Sequence, residues 1–359
     1  MSKHNKTSIS EFPFGQLSDG TQITEYRLEN KNKISISVLN YGGIIHSIVV
    51  PDINGEFADI LLGYEDIDGY LQDRSYMGAI LGRYANRIAD SSIILDGVKH
   101  LLPSNDGTSC NHGGTQGFNQ VVWDSEIIYS EDDVALVLNH LSPDGDQGFP
   151  GNLEISIRYT LNQKNELTVQ INAYSDQKTV VNISLHPYFN LTGLSSVNIE
   201  THMLEIKADE YLPINDSMIP KGEKRTVSQS PFDFRTLASL GSRLSKQNPQ
   251  LKLAEGFDHC FVIRDSSNEL KEMAIIEDPV SRRRLTLSSN APGLQLYTGN
   301  YLNGNVPGKR GAQYNKWQAV CLEPQHFPNS PSEKSFPSTV LKPGQEYNHQ
   351  IRYKFDIAN

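Results

Sequence analysis

Cysteine is scarce: Cys110, Cys260 and Cys321 are the only three in 359 residues, and three thiols cannot all pair internally. Such sparse usage excludes a disulfide scaffold and leads to an expectation of reduced thiols. No run of about 18 apolar residues occurs, so no membrane-spanning helix is expected. The opening Met1-Ser2-Lys3-His4-Asn5-Lys6-Thr7 leads into no apolar stretch of the secretory kind, which makes the cytoplasm the expected location. Positive charge is also short: 32 Lys and Arg face 42 Asp and Glu, for a net charge of −10. That balance argues against general affinity for nucleic acid or an anionic membrane, since both need a basic surface. A small uncharged or cationic ligand fits better. Strand–helix alternation is missing as well, which excludes a parallel nucleotide-binding α/β sheet.

What the chain has in abundance is period-2 patterning. Ile34, Ile36 and Val38 alternate with serines, and Leu153, Ile155, Ile157 and Tyr159 alternate with Glu154, Ser156, Arg158 and Thr160. Leu167, Val169 and Ile171 follow a polar turn at 162–165, so these last two runs read as a hairpin. Further strands are expected at 93–102, 121–129, 133–140, 202–208, 259–264, 272–277, 282–288, 293–298, 317–323 and 346–356, with Gly, Pro, Asn and Asp between them. Short helical turns are expected at 67–72 and 234–240, the second entered through Asp233 as a cap. Segments 228–231 and 246–250 read as short loops, and no low-complexity linker divides the chain. The expectation is an all-β, antiparallel sandwich in one domain spanning 1–359, with 1–14 as a peripheral N-terminal extension.

Two segments carry candidate chemistry. In Asn182-Ile183-Ser184-Leu185-His186-Pro187, alternation sends Ile183 and Leu185 to one face and Asn182, Ser184 and His186 to the other, and Pro187 stops the strand. A histidine so placed either transfers protons at a cleft or hydrogen-bonds a loop carbonyl. In Ala319-Val320-Cys321-Leu322-Glu323-Pro324, Glu323 shares a face with Ala319 and Cys321 and also precedes a proline. Glu323 alone reads more readily as a strand-end carboxylate in a surface ion pair; a cleft shared with His186 would make it the complementary base. Asn86 and Arg87 offer an amide and a planar set of donors, His112 precedes two glycines, and Asp258 begins a strand. Singly these also read as a loop salt bridge, a tight turn and a turn cap.

Taken in order, the motifs are more specific. Gly82-Arg83-Tyr84-Ala85-Asn86-Arg87-Ile88, Asn111-His112-Gly113-Gly114, Ser142-Pro143-Asp144-Gly145, Gly151-Asn152-Leu153, His186-Pro187-Tyr188-Phe189-Asn190-Leu191, Phe257-Asp258-His259, Pro292 to Asn300 and Cys321 to Pro328 together make the chain resemble the aldose 1-epimerase (galactose mutarotase) family. The resemblance runs from about Gly15 to Tyr347. It implies a twisted β-supersandwich without a cofactor, with His186 as general acid and Glu323 as general base. It implies sugar contacts for Asn86, Arg87, His112, Tyr188, Asp258 and Gln295. Pro187 and Pro324 depart from the expected pattern beside the catalytic pair, which bears on local geometry and sugar preference. The implied reaction opens and recloses the hemiacetal ring of a free aldohexose such as glucose or galactose. It needs one group to take the anomeric hydroxyl proton and another to protonate the ring oxygen. A small-molecule sugar is the expected partner of a monomer or homodimer.

Three other readings compete. Cys110 with His112, His259 with Cys260, and Cys321 with His326 offer metal-type ligands, but no CxxC, HxH or HExxH spacing is present. A non-catalytic sugar-binding protein would have no need of both His186 and Glu323. An epimerase of a disaccharide or hexose phosphate is the nearest alternative: Arg282-Arg283-Arg284 could hold phosphate, though alternation spreads the three over both faces and reads better as a solvated edge.

Overall fold

A computed structural model of the chain describes residues 7–129, 134–193, 197–244, 247–265 and 267–358. Residues 1–6 of the opening segment, residue 133 of an expected strand and residue 246 of an expected loop lie outside the described residues. The expected all-β fold is the one observed. Three antiparallel sheets dominate, of five, nine and five strands. The first runs in chain order from Ser8–Gln16 to Phe57–Asp59, and its outermost strand, Ser8–Gln16, is mostly exposed. The nine-stranded sheet holds the expected hairpin of Leu153–Leu161 and Glu166–Ser175, with the long strand Glu346–Ile357 inserted beside it. The third sheet orders Arg225–Thr226, Ala208–Tyr211, Asp258–Ile263, Gly293–Tyr297 and Cys321–Gln325.

One large apolar cluster draws from all three sheets, for example Ile36, Ile157 and Leu322, each with no exposed surface. At about 25 cal/mol per Å² of apolar area, such side chains supply the main drive for folding. The alternation seen in the sequence is the physical cause: Leu153–Leu161 buries every second residue.

Four local expectations are corrected. The segment 234–240 is not helical: Ala238–Ser239 pairs with Met203–Leu204, and the helix begins at Leu240, capped by Ser239. Asp233 instead holds Arg235. The loop read at 246–250 contains the start of a short helix, Pro249–Leu253, capped by the Asn248 side chain with Pro249 in its first turn. The run 93–102 is two strands folded about Asp96 and Gly97. Finally, Arg283–Ser289 is an interior strand rather than an edge. Arg283 is buried and donates to the carbonyls of Val50, Glu56, Leu191 and Thr192, while Arg284 pairs with Glu277. The helix at Ile67–Gln72 forms as expected, with Asp66 accepting from the Gly69 N–H.

Candidate active site

Three neighbouring strands of the third sheet build the floor of a cavity. Register places Glu323 opposite Gln295, Gln295 opposite Cys260, and Tyr297 opposite both Asp258 and Cys321. Alternation therefore puts Asp258, Cys260, Gln295, Tyr297, Cys321 and Glu323 on one face. Leu294, Leu296, Leu322 and Phe261 point the other way, into the core. The strand does not end at Pro324. It continues to Gln325 as the outermost strand of the sheet, where a proline without a donor is tolerated.

His186 arrives from a second direction. The short strand Ser184–Leu185 pairs with Ile80–Leu81, and the His186 N–H donates to the Ala79 carbonyl. The face expected to be polar is polar but not solvated. Asn182 donates to the Ala85 carbonyl and accepts from the His326 N–H, and Ser184 donates to the Pro324 carbonyl at 2.7 Å. These bonds tie the segment leading to His186 directly to the strand bearing Glu323. His186 Nε2 thus lies 3.6 Å from Glu323 Oε1, with both side chains almost wholly buried.

The segment 82–88 contributes two arginines with different fates. Arg83 is buried and donates to the carbonyls of Ser142, Pro143, Pro150 and Gly151 and to the Ser142 and Thr179 hydroxyls. It fastens the loop between two of the resembling motifs, so those motifs act through structure. Arg87, four residues on, lines the cavity; its Nε donates to Asp106 at 2.7 Å and its Nη1 stands 3.6 Å from Asp258. His112 is held beside Asn86, whose N–H donates to His112 Nδ1 at 3.2 Å. That bond makes Nδ1 an acceptor and leaves the proton of the neutral ring on Nε2. Close approach is needed here: a Cβ on Gly113 would stand 1.8 Å from the Gly82 carbonyl oxygen. Asn86, His112 and Tyr76 all have positive φ, a strain of about 1–3 kcal/mol each that the surrounding packing must offset.

The resulting cavity, of about 370 Å³, gathers Asn86, Arg87, His112, His186, Tyr188, Asp258 and Glu323. Of the sequence-derived residues, Gln295 alone does not line it. Gln295 sits behind Asp258 and donates to its Oδ1 at 2.6 Å. Tyr188 stacks on His186 with ring centroids 4.9 Å apart and gives its hydroxyl proton to the Ser75 carbonyl. Arg74, Tyr76, Asn105, Asp106, Met218, Tyr297 and Tyr301 also line the cavity, and sequence reasoning did not select them. Tyr297 lay within a quoted motif; the others carried no local signal.

Burial dominates the electrostatics. It pushes the Glu323 carboxyl well above the usual range, reinforced by the Asp258 charge and opposed by Arg87. It pushes His186 down to about 4. The sequence reading gave these two groups opposite charges; desolvation works against charge on both. His112 is also held far below its ordinary value, first by burial and then by His186 and Arg87, so it is a neutral donor. The Asp258 carboxyl is raised by burial, against the pull of Arg87 and Gln295. All three cysteines are free and buried, and among the described residues no cluster of three or more His, Cys, Asp or Glu could hold a metal ion. Nor, among them, is any helix long and apolar enough to cross a membrane.

A sequence model described as aldose 1-epimerase matches residues 24–354. Galactose mutarotase of Bos taurus is 37% identical over 98% of this chain and 99% of its own length. Aldose 1-epimerase of Escherichia coli (strain K12) is 33% identical over 94% and 96%. The crystal structure of galactose 1-epimerase from Lactobacillus acidophilus NCFM superposes with a TM-score of 0.86 at 27% identity, covering 99% of this chain and 100% of that one.

Proposed function

The chain belongs to the aldose 1-epimerase family, and we propose that it interconverts the α and β anomers of free aldohexoses with His186 and Glu323 as its acid and base. The observation that carries this reading is the 3.6 Å approach of His186 Nε2 to Glu323 Oε1 at the floor of a cavity lined largely by hydroxyl-binding groups. It is an isomerase: no electron or group is transferred, only protons at two oxygens of one sugar.

Burial leaves the free pair with a single proton between two groups that both resist charge. A sugar hydroxyl donating to Glu323, together with Arg87, stabilises the carboxylate and so places that proton on His186. Glu323 then accepts the anomeric hydroxyl proton while His186 donates to the ring oxygen. The ring opens, the aldehyde turns, and closure on its other face runs the two transfers in reverse. Tyr188 keeps the His186 ring in plane by stacking. Arg87 and the Nε2–H of His112 donate to sugar oxygens, and Asp258, braced by Gln295, accepts from a sugar hydroxyl. Tyr188 and Gln295, assigned sugar contacts by resemblance, act here on His186 and Asp258.

Activity requires one proton on the pair. It therefore falls on the acid side as a second proton reaches His186, near pH 4, and on the alkaline side as the last proton leaves Glu323 above the ordinary carboxylate range. Polarimetry on α-glucose and α-galactose tests the assignment. Glu323→Gln and His186→Asn are each expected to lower kcat by about 10²–10⁴ in folded protein. Near-wild-type turnover in either variant overturns the acid–base pair. A cytoplasmic location accords with this soluble small-molecule chemistry and is tested by cell fractionation.

A further inference from the structure

We propose that Asp106 is a positioning residue of the site, acting through Arg87; the inference rests on the acid–base reading above and assigns a part to a residue outside it. Arg87 stands between two carboxylates at unequal distances. Its Nε donates to Asp106 Oδ2 at 2.7 Å, a full charge-assisted hydrogen bond, whereas its Nη1 is 3.6 Å from Asp258 Oδ2, beyond hydrogen-bond range. The guanidinium is anchored from the side of its stem. Its terminal nitrogens are left directed toward Asp258 and the cavity without being consumed by either.

Asp106 is itself built in. It begins a tight turn in which the Asp106 and Ser109 backbones bond each other in both directions, at 3.1 and 2.9 Å. The neighbouring Asn105 side chain accepts from the Asn111 N–H and donates to the Asn111 and Gly114 carbonyls. The next strand, Cys110–Asn111, pairs with Arg87–Ile88, and Asn111 is directly opposite Arg87. Asp106, Arg87 and His112 therefore share one small framework, so the carboxylate is set at a fixed distance from the arginine it holds.

Without Asp106 two things follow. The Arg87 guanidinium loses the 2.7 Å bond that anchors it and can close the 3.6 Å gap to Asp258, forming a fork-to-fork pair that removes both from the sugar. The arginine's positive charge also loses its nearer counter-charge. The cavity lining thereby loses one negative charge while Arg87 still pulls the Glu323 carboxyl down, so Glu323 is held less far above its ordinary range. Binding weakens more than turnover, and the alkaline limb of the rate profile moves to lower pH. The sign follows from Glu323 releasing its proton earlier.

The experiment is steady-state polarimetry on α-galactose over the full pH range with Asp106→Asn, Asp106→Glu, Arg87→Ala and the Asp106→Asn/Arg87→Ala double variant. Asp106→Asn is expected to raise KM about tenfold with a much smaller change in kcat and to shift the alkaline limb downward. Asp106→Glu should restore most of the KM. In the Arg87→Ala background, Asp106→Asn should add almost nothing, because its route to the sugar is already gone. Unchanged KM and an unmoved alkaline limb in Asp106→Asn overturn the proposal. So does a full additional loss in the double variant, which would mean that Asp106 meets the sugar itself. Either failure is distinct from failure of the acid–base reading, which is decided by Glu323→Gln and His186→Asn.

Discussion

The strands Asp258–Ile263, Gly293–Tyr297 and Cys321–Gln325 have two faces that are about equally buried and chemically opposite. Toward the core, Phe261, Leu294, Leu296 and Leu322 meet hydrocarbon; toward the cavity, Asp258 and Glu323 line the wall and Gln295 donates to Asp258 from behind it. On the core face, burial is the stabilising force. On the cavity face the same desolvation raises Glu323 and Asp258, so it is spent against stability and retained for chemistry. Arg83 and Arg87 repeat the contrast within one motif. Arg83 donates to four carbonyls and two hydroxyls, while Arg87 keeps donors directed at a cavity.

The largest test of that contrast compares neighbours in sequence. Leu322→Ala should cost about 2–5 kcal/mol of stability, by lost burial and a residual cavity, while kcat in the folded fraction stays within a few-fold. Glu323→Gln should do the reverse, leaving the denaturation midpoint unchanged or raised because it removes a group whose charge the site resists. Urea melts alongside polarimetry measure both. If Glu323→Gln proves as destabilising as Leu322→Ala, the cavity face is a second core and the division fails.

Next in size is a titration on the core face. His259 packs its ring 4.8 Å from that of Phe232, and burial lowers it to about 3. A folded value below the unfolded one gives stability that is present above about pH 6.5 and lost as pH falls toward 3. The loss runs at about 1.36 kcal/mol per pH unit for one proton. His259→Asn keeps an acceptor for the Asp258 N–H but cannot take up a proton, so its stability curve should be flatter by about that slope. Melts from pH 7 to pH 4 decide it. His186, His326 and His349, each lowered to about 4, steepen the background in both proteins alike, and the difference between them isolates His259.

What could be read from the sequence divides along the same line. Alternation marks a face as distinct, so His186 and Glu323 were visible, as was the hairpin 153–171; the helical turn at 67–72 was legible too, though not its Asp66 cap. Alternation does not say what covers a face. Asn182 and Ser184 share the polar face with His186, yet they are buried against the Pro324–His326 segment, 144 and 140 residues away from their partners there, where backbone groups satisfy them. Pro324 looked like a strand end because a missing donor matters only where a neighbouring strand needs it, and sheet order is a long-range property. The same holds for 234–240, whose helical pattern yields to pairing with Met203–Leu204. Asp106, Tyr76 and Tyr301 join the cavity through chain crossings that no local spacing encodes.

The smallest expected effect concerns Gln295, a cavity-face residue one layer behind the cavity. Its amide donates to Asp258 Oδ1 at 2.6 Å and lowers a carboxyl that burial otherwise raises. Gln295→Met keeps the volume and removes the donor. Asp258 retains Arg87 nearby, so the loss should be about 1 kcal/mol, roughly fivefold in KM, with little change in kcat. The sign of the pH dependence is fixed: without the donor, Asp258 takes up its proton at higher pH, and a protonated carboxyl has lost accepting capacity. The KM penalty should therefore grow as pH falls and shrink as it rises. A penalty equal at all pH values would instead mean that Gln295 acts by packing alone, which would move it from the chemical face of the sheet to the structural one.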